Sequence, residues 1–286
     1  MYRLFSLFVL SFVLQQSVIA EEPVPLKIDG QTFAEYKYIG VPFKPYIATL
    51  RTPAGRNVLR DAPHDHLHHH ALMFALAVNG CNFWEEYGKP GKEITTAFKA
   101  EPASLQTELD WATPESKTVL KEKRRISVAK KPEVVLLDWQ SALSAPDSET
   151  VHLDKSNHHY FGLGIRFDQT MDKGGRFFND TGKQDGDIVR GDERLTPCRW
   201  TAYTAKLQDK PVTVAVFGHP KNPVPTMAFT MGDAGKSFAY LGITLNLHRK
   251  PVDVEPGKVL TFNYRVAVWE GEVSAETVEK EYQNYE

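Results

Sequence analysis

Leu260, Phe262, Tyr264, Val266 and Val268 alternate with Thr261, Asn263, Arg265 and Ala267. Successive side chains of a strand point to opposite faces, so this alternation predicts a β-strand with one face turned to a core. The same period of two runs through 105–111 and 212–216, and more weakly through about 33–39, 46–52, 71–78, 117–128, 133–143, 159–168, 199–207 and 238–247. Turn signals separate the runs, among them Asn79-Gly80, Lys173-Gly174-Gly175 and Pro256-Gly257. Only the C-terminus carries a helical period: Ser274 is placed to cap, Glu276 falls in the first turn, and Val278, Tyr282 and Tyr285 recur on one face.

So many strands with no intervening helices leave no crossover connections for a parallel sheet. The pattern therefore predicts an all-β protein, a large antiparallel β-sandwich with a short C-terminal helix. A closed barrel or a cupin-like jelly roll is the alternative. No linker or repeat divides the chain, and the Asp- and Gly-rich stretch 179–194 reads as a surface loop, so residues 21–286 are expected to form a single domain. With 286 residues, 42% of them hydrophobic, the chain can bury a full core. Lys and Arg total 34 against 36 Asp and Glu, so no basic field invites nucleic acid.

The first twenty residues read as an address. Arg3 precedes an uncharged, largely apolar run from Leu4 to Leu14, and Val18 and Ala20 stand at the positions that precede a signal-peptidase cut before Glu21. Residues 1–20 are thus expected to be a signal peptide and the protein to be exported, to a periplasm or the exterior. At about 1.5 Å per helical residue the run is too short for the roughly 30 Å core of a bilayer, and no later stretch is long enough, so no membrane span is expected. Export permits a disulfide between Cys81 and Cys198. They form no CxxC, and two separate buried thiols are the favoured reading.

The most informative segment is His64-Asp65-His66-Leu67-His68-His69-His70, just before the apolar run from Ala71 to Val78. If extended, it projects His64, His66, His68 and His70 from one face and Asp65 and His69 from the other. If helical, it pairs His66 with His70. Imidazoles whose reference pKa is near 6.5 can serve as general acid and base, and Asp65 can orient one of them by accepting an Nδ1–H. An H-x-H pair, His66 and His68, can instead supply two ligands to a divalent metal that a third residue completes. A solvated His-rich turn and imidazoles satisfied within a core are the competing structural readings.

The string Asp65-His66-Leu67-His68-His69, followed by Ala71-Leu72-Met73-Phe74 and Asn79-Gly80-Cys81-Asn82-Phe83-Trp84, resembles the D-H-P-H-H-R-G-L-x-F … N-G-x-x-F-W pattern of the PmoA-like family. Gly162-Leu163-Gly164-Ile165-Arg166, Asn179 with Gly182, Arg199-Trp200, His219-Pro220-Lys221-Asn222-Pro223 and Tyr264-Arg265-Val266 fall in the family's order, over about residues 30–271. The family's usual Pro, Arg and Gly are here Leu67, His70 and Ala71. The resemblance implies a β-rich exported domain, common among carbohydrate-using bacteria, and implies Asn179 and Trp200 as substrate contacts. It does not imply the family's "methane oxygenase" label, since that oxygenase subunit is a polytopic membrane protein.

Arg166 interrupts an apolar strand on the Gly162/Gly164 side of the pleat, where small neighbours leave room for a ligand, and is a candidate contact to a carboxylate or sugar hydroxyl. His219 and Asn222 sit in a loop stiffened by Pro220, Pro223 and Pro225. Trp84, Trp200 and Trp269 are either a stacking platform for a sugar ring or core. Glu85-Glu86 reads as a pair of solvated acids. No G-x-S-x-G elbow, phosphate loop, H-E-x-x-H or dinucleotide fingerprint is present.

The combined expectation is an exported β-sandwich enzyme acting on a carbohydrate or related polyhydroxylated small molecule, as a lyase, epimerase or hydrolase. His66, His68, His69 and Asp65 are its catalytic candidates, and Arg166, His219, Asn222, Asn179 and Trp200 its binding candidates; no cofactor is required. The alternatives are a metal-dependent enzyme using His66 and His68, and a non-catalytic glycan-binding or envelope module. Expressed in a bacterium with an intact export system, the protein is expected in the exported fraction with Glu21 as its first residue by intact mass. A cytoplasmic chain retaining residues 1–20 contradicts the export assignment.

Overall fold

The computed structural model describes residues 22–153, 158–182, 187–232 and 238–285. The expected signal peptide lies outside them. Three antiparallel sheets account for the strands. The first has nine strands in the order Val24–Ile28, Gln31–Lys37, Tyr46–Leu50, Leu72–Ala75, Gly162–Arg166, Tyr240–Thr244, Met227–Met231, Glu193–Pro197 and Asp187–Arg190. The second has eight: Arg176–Asn179, Trp200–Leu207, Lys210–Gly218, Val259–Glu270, Val134–Ser144, Thr118–Lys130, Ser104–Ala112 and Lys92–Glu101. A small four-stranded sheet of Val252–Val254, Val151–Leu153, Ala77–Val78 and Cys81–Asn82 lies beside them in the pairing scheme.

The two large sheets form a sandwich, as the alternation predicts, rather than a closed barrel. Phe33, Phe74 and Ile243 of the nine-stranded sheet share one buried core with Leu109, Leu137, Val214 and Val266 of the eight-stranded sheet. Inside that core Arg124 is fully buried, donating to both oxygens of Glu122 at 2.8 Å and to Glu93 Oε2 at 2.9 Å. A buried guanidinium needs such partners to offset its desolvation.

The outer face of the eight-stranded sheet is covered over only part of its area. Helix α1, Ala275–Gln283, is capped by Ser274, whose side chain accepts from Thr277 N at 3.2 Å. It buries Val278 and Tyr282 against Val134, Leu136, Phe217 and Ala267, the outward residues of their strands. Farther along, the outward positions become Asp138 and Gln140; the helix's apolar face does not cover them, and its Glu281 comes to 3.5 Å from Arg265, the partner of Asp138.

Asn79 and Gly80, at φ 47° and 78°, form the two-residue turn between Ala77–Val78 and Cys81–Asn82, as their dipeptide predicts. The stretch 179–194, expected as a loop, instead contains Asp187–Arg190 and the start of Glu193–Pro197, which pair as a hairpin at the sheet edge. Cys81 and Cys198 are free and half-buried. Burial pushes the Cys198 thiol up to about 12, which leaves it unreactive at neutral pH.

Candidate active site

The histidine segment is neither strand nor helix. His66 N donates to Pro63 O at 2.9 Å and His69 N donates to His66 O at 3.0 Å, so the chain takes two tight turns before Ala71, at φ 42°, leads it into the central strand Leu72–Ala75. These turns replace the even alternation of an extended chain. His66, His68 and His69 come together, and His70 turns away from them.

His70 is anchored at both ring nitrogens. Nδ1 lies 2.7 Å from Asp61 Oδ1 and Nε2 lies 3.0 Å from Glu86 Oε1. Tyr46 Oη donates to Asp61 Oδ2 at 2.5 Å, and Lys44 Nζ donates to Glu86 Oε1 at 2.5 Å. Burial opposes the imidazolium, but hydrogen bonds to Asp61 and Glu86 outweigh it and hold the His70 pKa above the ordinary value. Burial likewise opposes ionisation of both carboxylates, and the contacts with His70 prevail and hold them low. Glu85-Glu86 is therefore not a solvated pair. Glu86 belongs to this buried cluster and Glu85 faces a cavity.

That cavity has a volume of about 340 Å³. His66, His68 and His69 line one part of it; His66 stacks on His69 at 4.6 Å between ring centroids, and His68 meets His69 edge-on, also at 4.6 Å. Burial drives the His69 imidazolium down to about 2, helped by the charges of His68, His66 and Arg166. Burial and His66 lower His68 as well. His69 is thus a neutral hydrogen-bonding ring at physiological pH rather than a charged acid.

The cavity also contains two carboxylates. Glu85 Oε1 accepts from Tyr160 Oη at 3.1 Å and lies 3.2 Å from His158 Nε2, while Asn82 Nδ2 donates to Oε2 at 3.1 Å. Glu193 Oε2 lies 2.5 Å from His159 Nε2, and Oε1 accepts from Arg190 at 2.7 and 3.0 Å. Burial would raise the Glu193 pKa, but its bonds to His159 and Arg190 hold it low. Trp84, Tyr160, Phe229, Phe238 and Tyr240 supply aromatic surface. Within this lining His69 Nδ1, Trp84 Nε1 and Tyr240 Oη are buried without a hydrogen-bond partner. Aromatic faces with a few fixed polar groups are what a small polar ligand with an apolar face requires.

The remaining candidates divide between this cavity and other places. Asp65 accepts from Arg166 Nη2 at 3.3 Å and lies 3.2 Å from His66 Nδ1, which is placed beside the carboxylate without a hydrogen bond to it. Arg166 is 1% exposed and stacks on Phe238, 3.5 Å from the ring centroid, which places it behind the lining rather than on it. The room expected beside Gly164 is filled by protein: a Cβ there would approach Tyr240 Oη to 1.8 Å.

His219 and Asn222 lie on the eight-stranded sheet, where Asn222 hydrogen-bonds the backbone of Asn263 at 2.7 and 3.0 Å. Asn179 closes a turn by accepting from Thr181 N at 2.9 Å, and Trp200 donates to Glu279 of the helix at 2.7 Å. None of these four lines the cavity, and of the three tryptophans considered for stacking only Trp84 does. Among the described residues no three His, Cys, Asp or Glu side chains are arranged to hold a metal ion, so His66 and His68 have no third ligand there. Sequence reasoning missed His158, Tyr160, Tyr240, Arg190 and Glu193, and it named Glu85 only to set it aside as a solvated acid, although it follows Trp84 directly.

Fold and cavity define a β-sandwich with a histidine- and carboxylate-lined pocket opening on its nine-stranded sheet. The chain belongs to the family described as Family of unknown function (DUF6807), whose model matches residues 23–283. This match overturns the resemblance to the PmoA-like family: the departures at Leu67, His70 and Ala71 mark a different group, and His70 is an anchor rather than a substitute for a substrate-binding Arg. No match to a curated protein was found.

Among solved structures, the chain is similar to a GH36 α-galactosidase from Geobacillus stearothermophilus in complex with 1-deoxygalactonojirimycin, with TM-score 0.50 and 10% identity over 83% of this chain and 39% of that one. The chain thus spans about two fifths of that enzyme's length. It is also similar to a galactose mutarotase related enzyme from Lactobacillus acidophilus, with TM-score 0.49 and 10% identity over 87% of this chain and 99% of that one. The likeness to the α-galactosidase, at TM-score 0.50, agrees with the sandwich fold and speaks to the fold alone.

The His70 cluster generates a pH signature. A raised imidazole pKa contributes stability below about 6.5 that is lost as pH rises through the folded value, whereas the lowered carboxylates contribute above about 4 and lose it on acidification. The stability gap between the wild-type protein and His70→Gln, measured by denaturant unfolding, is therefore expected to be widest near pH 5–6 and to narrow towards pH 9. A gap independent of pH contradicts the charged bridge.

Proposed function

We propose that the protein is an enzyme acting on a carbohydrate or related polyhydroxylated small molecule, and that its chemistry is proton transfer in the Glu85–His69 cavity. The observation that carries this reading is the combination, in one 340 Å³ cavity, of neutral imidazoles, a positioned carboxylate and aromatic faces. That volume is near the lower end of the roughly 300–1,000 Å³ of small-molecule sites, so it fits about one sugar ring. The ring's C–H face stacks on Trp84 or Tyr240, and its hydroxyls meet the polar atoms of the same lining.

Glu85 acts as general base, fixed by Tyr160, His158 and Asn82, and the exposed Tyr87, which also hydrogen-bonds it, gives up its place to a substrate hydroxyl. His68 and His69 donate hydrogen bonds to the oxygen on which negative charge develops; being neutral, they do so without a buried positive charge. Glu85 takes the proton of the anomeric hydroxyl as the bond from C1 to the ring oxygen breaks and the C1 carbonyl forms; the ring oxygen, held by hydrogen bonds from His68 and His69, receives that proton from Glu85 through the exchanging hydroxyls, and the reverse step closes the ring on either face. The export expected of residues 1–20 is part of the proposal and places the substrate outside the cytoplasm. The α-galactosidase with the same sandwich acts, by its name, on a galactoside; the sugar proposed here rests on the cavity's own chemistry.

The test is interconversion of aldose anomers followed by NMR, alongside calorimetric binding of the same sugars. Glu85→Gln and His69→Ala are each expected to lower turnover by about 10²–10⁴-fold with little change in melting temperature. Sugar binding without turnover in the wild-type protein, or variants that keep full turnover, overturns the catalytic reading.

A further inference from the structure

The loop His219–Asn222 and the bare half of the eight-stranded sheet have no part in the cavity chemistry, yet they enclose the largest concavity described. Spaces of about 690 and 490 Å³ lie along the outer face of this sheet and share Gln106, Arg125 and Gln140 in their lining, so they form one trough. A row of planar polar side chains crosses it at a single register: Asn263 opposite Gln140, Gln140 opposite Arg125, Arg125 opposite Gln106, and Gln106 opposite Lys99. Five strands at about 4.8 Å spacing make the row about 19 Å long. Ser104, Ser127, Asp138 and Arg265 form the parallel row beside it.

One wall is built, not incidental. The Asn222 side chain pairs with Asn263 N and O as another strand would, His219 Nδ1 accepts from Lys221 N at 3.0 Å, and Tyr285 packs edge-on against His219. This explains the Pro-rich loop that the sequence singled out: it stands as a rigid rim.

The charges are unbalanced in one direction. Asp138 is bound by Arg265 at 2.6 and 2.8 Å, and Glu108 by Lys123 at 3.1 Å. Arg125 in the floor and Lys221 on the rim have no carboxylate within 4.0 Å among the described residues.

We propose that this trough is a second carbohydrate site, separate from the cavity, that binds an acidic oligosaccharide, a chain of several sugar units bearing uronate carboxylates. Gln140 Nε2 donates to Asn263 Oδ1 at 2.8 Å, which fixes both amides and leaves Gln140 Oε1 and Asn263 Nδ2, with the Gln106 amide and the hydroxyls of Ser104 and Ser127, to meet sugar hydroxyls; Arg125 takes a carboxylate in a two-point, charge-assisted contact. The length of the row calls for a chain rather than a single ring, and its uncompensated cations call for an acidic one.

Calorimetric titration with a galacturonate trimer and with neutral xylotriose tests this. The trimer is expected to bind, more weakly as salt rises, and xylotriose at least tenfold less well. Arg125→Gln, at an exposed position, is expected to weaken the trimer by about tenfold or more and to leave folding and cavity turnover unchanged; Glu85→Gln is expected to leave trimer binding intact. Absence of trimer binding, equal binding of xylotriose, indifference to Arg125→Gln or loss of trimer binding in Glu85→Gln overturns the proposal. Failure of the cavity reading alone leaves these results untouched.

Discussion

The 3.0 Å contact between His70 Nε2 and Glu86 Oε1 fixes two walls of the cavity at once. His70 follows His69, and Glu86 follows Glu85. Neighbouring residues in extended or tightly turned backbone face different ways, so drawing His70 and Glu86 together inside the protein leaves His69 and Glu85 on the cavity side. Asp61, Tyr46 and Lys44 complete the cluster and satisfy the remaining polar atoms. With every member paired, such a network rigidifies the loop it holds; with one removed, it leaves buried charge without compensation. The histidine turns have two internal backbone hydrogen bonds and are tied at their end by Ala62 N to His69 O at 3.0 Å and by the Asp61–His70 bridge, which the side-chain network reinforces.

Burial then sets the chemistry. Burial disfavours the charged form of His68 and, far more, of His69, whose pKa falls to about 2. The result is a wall of neutral donors and acceptors beside a hydrogen-bonded carboxylate, an arrangement suited to shuttling protons among hydroxyls rather than to holding an anion. The two concavities lie on different sheets: the nine-stranded sheet carries this aromatic pocket, and the eight-stranded sheet carries the shallower trough with Arg125 in its floor.

The period-two alternation placed the central strands closely: 259–270, 104–112 and 210–218 contain the runs read from sequence, and 134–144 is offset by one residue from the run 133–143. The capped helix was equally legible, because Ser274, Val278 and Tyr282 use local rules of capping and amphipathicity. Edge strands were missed. Lys92–Glu101 is exposed along most of its length, so no buried face stamps a period on it. The histidine segment was found by composition, but its turns were not, since an alternation of histidines without a buried apolar partner fits extended and turned backbone equally. Whether Glu85 or Glu86 faces inward is decided by Lys44 and His70, distant in sequence, and no local pattern records it. The same limit applies to His219 and Arg166, which polarity alone brought together and the topology puts on different sheets.

Imidazole ¹⁵N shifts followed across pH test this account most directly, because they report His70 and His69 separately. His70 is expected to keep both ring protons at pH values where an ordinary imidazole has lost one, while His69 stays neutral below about pH 5, the two rings departing in opposite directions from the ordinary value near 6.5. Titration of both rings together near that value would mean that the anchor is not ionic and that the pocket wall is solvated, and the proposed chemistry would have no basis.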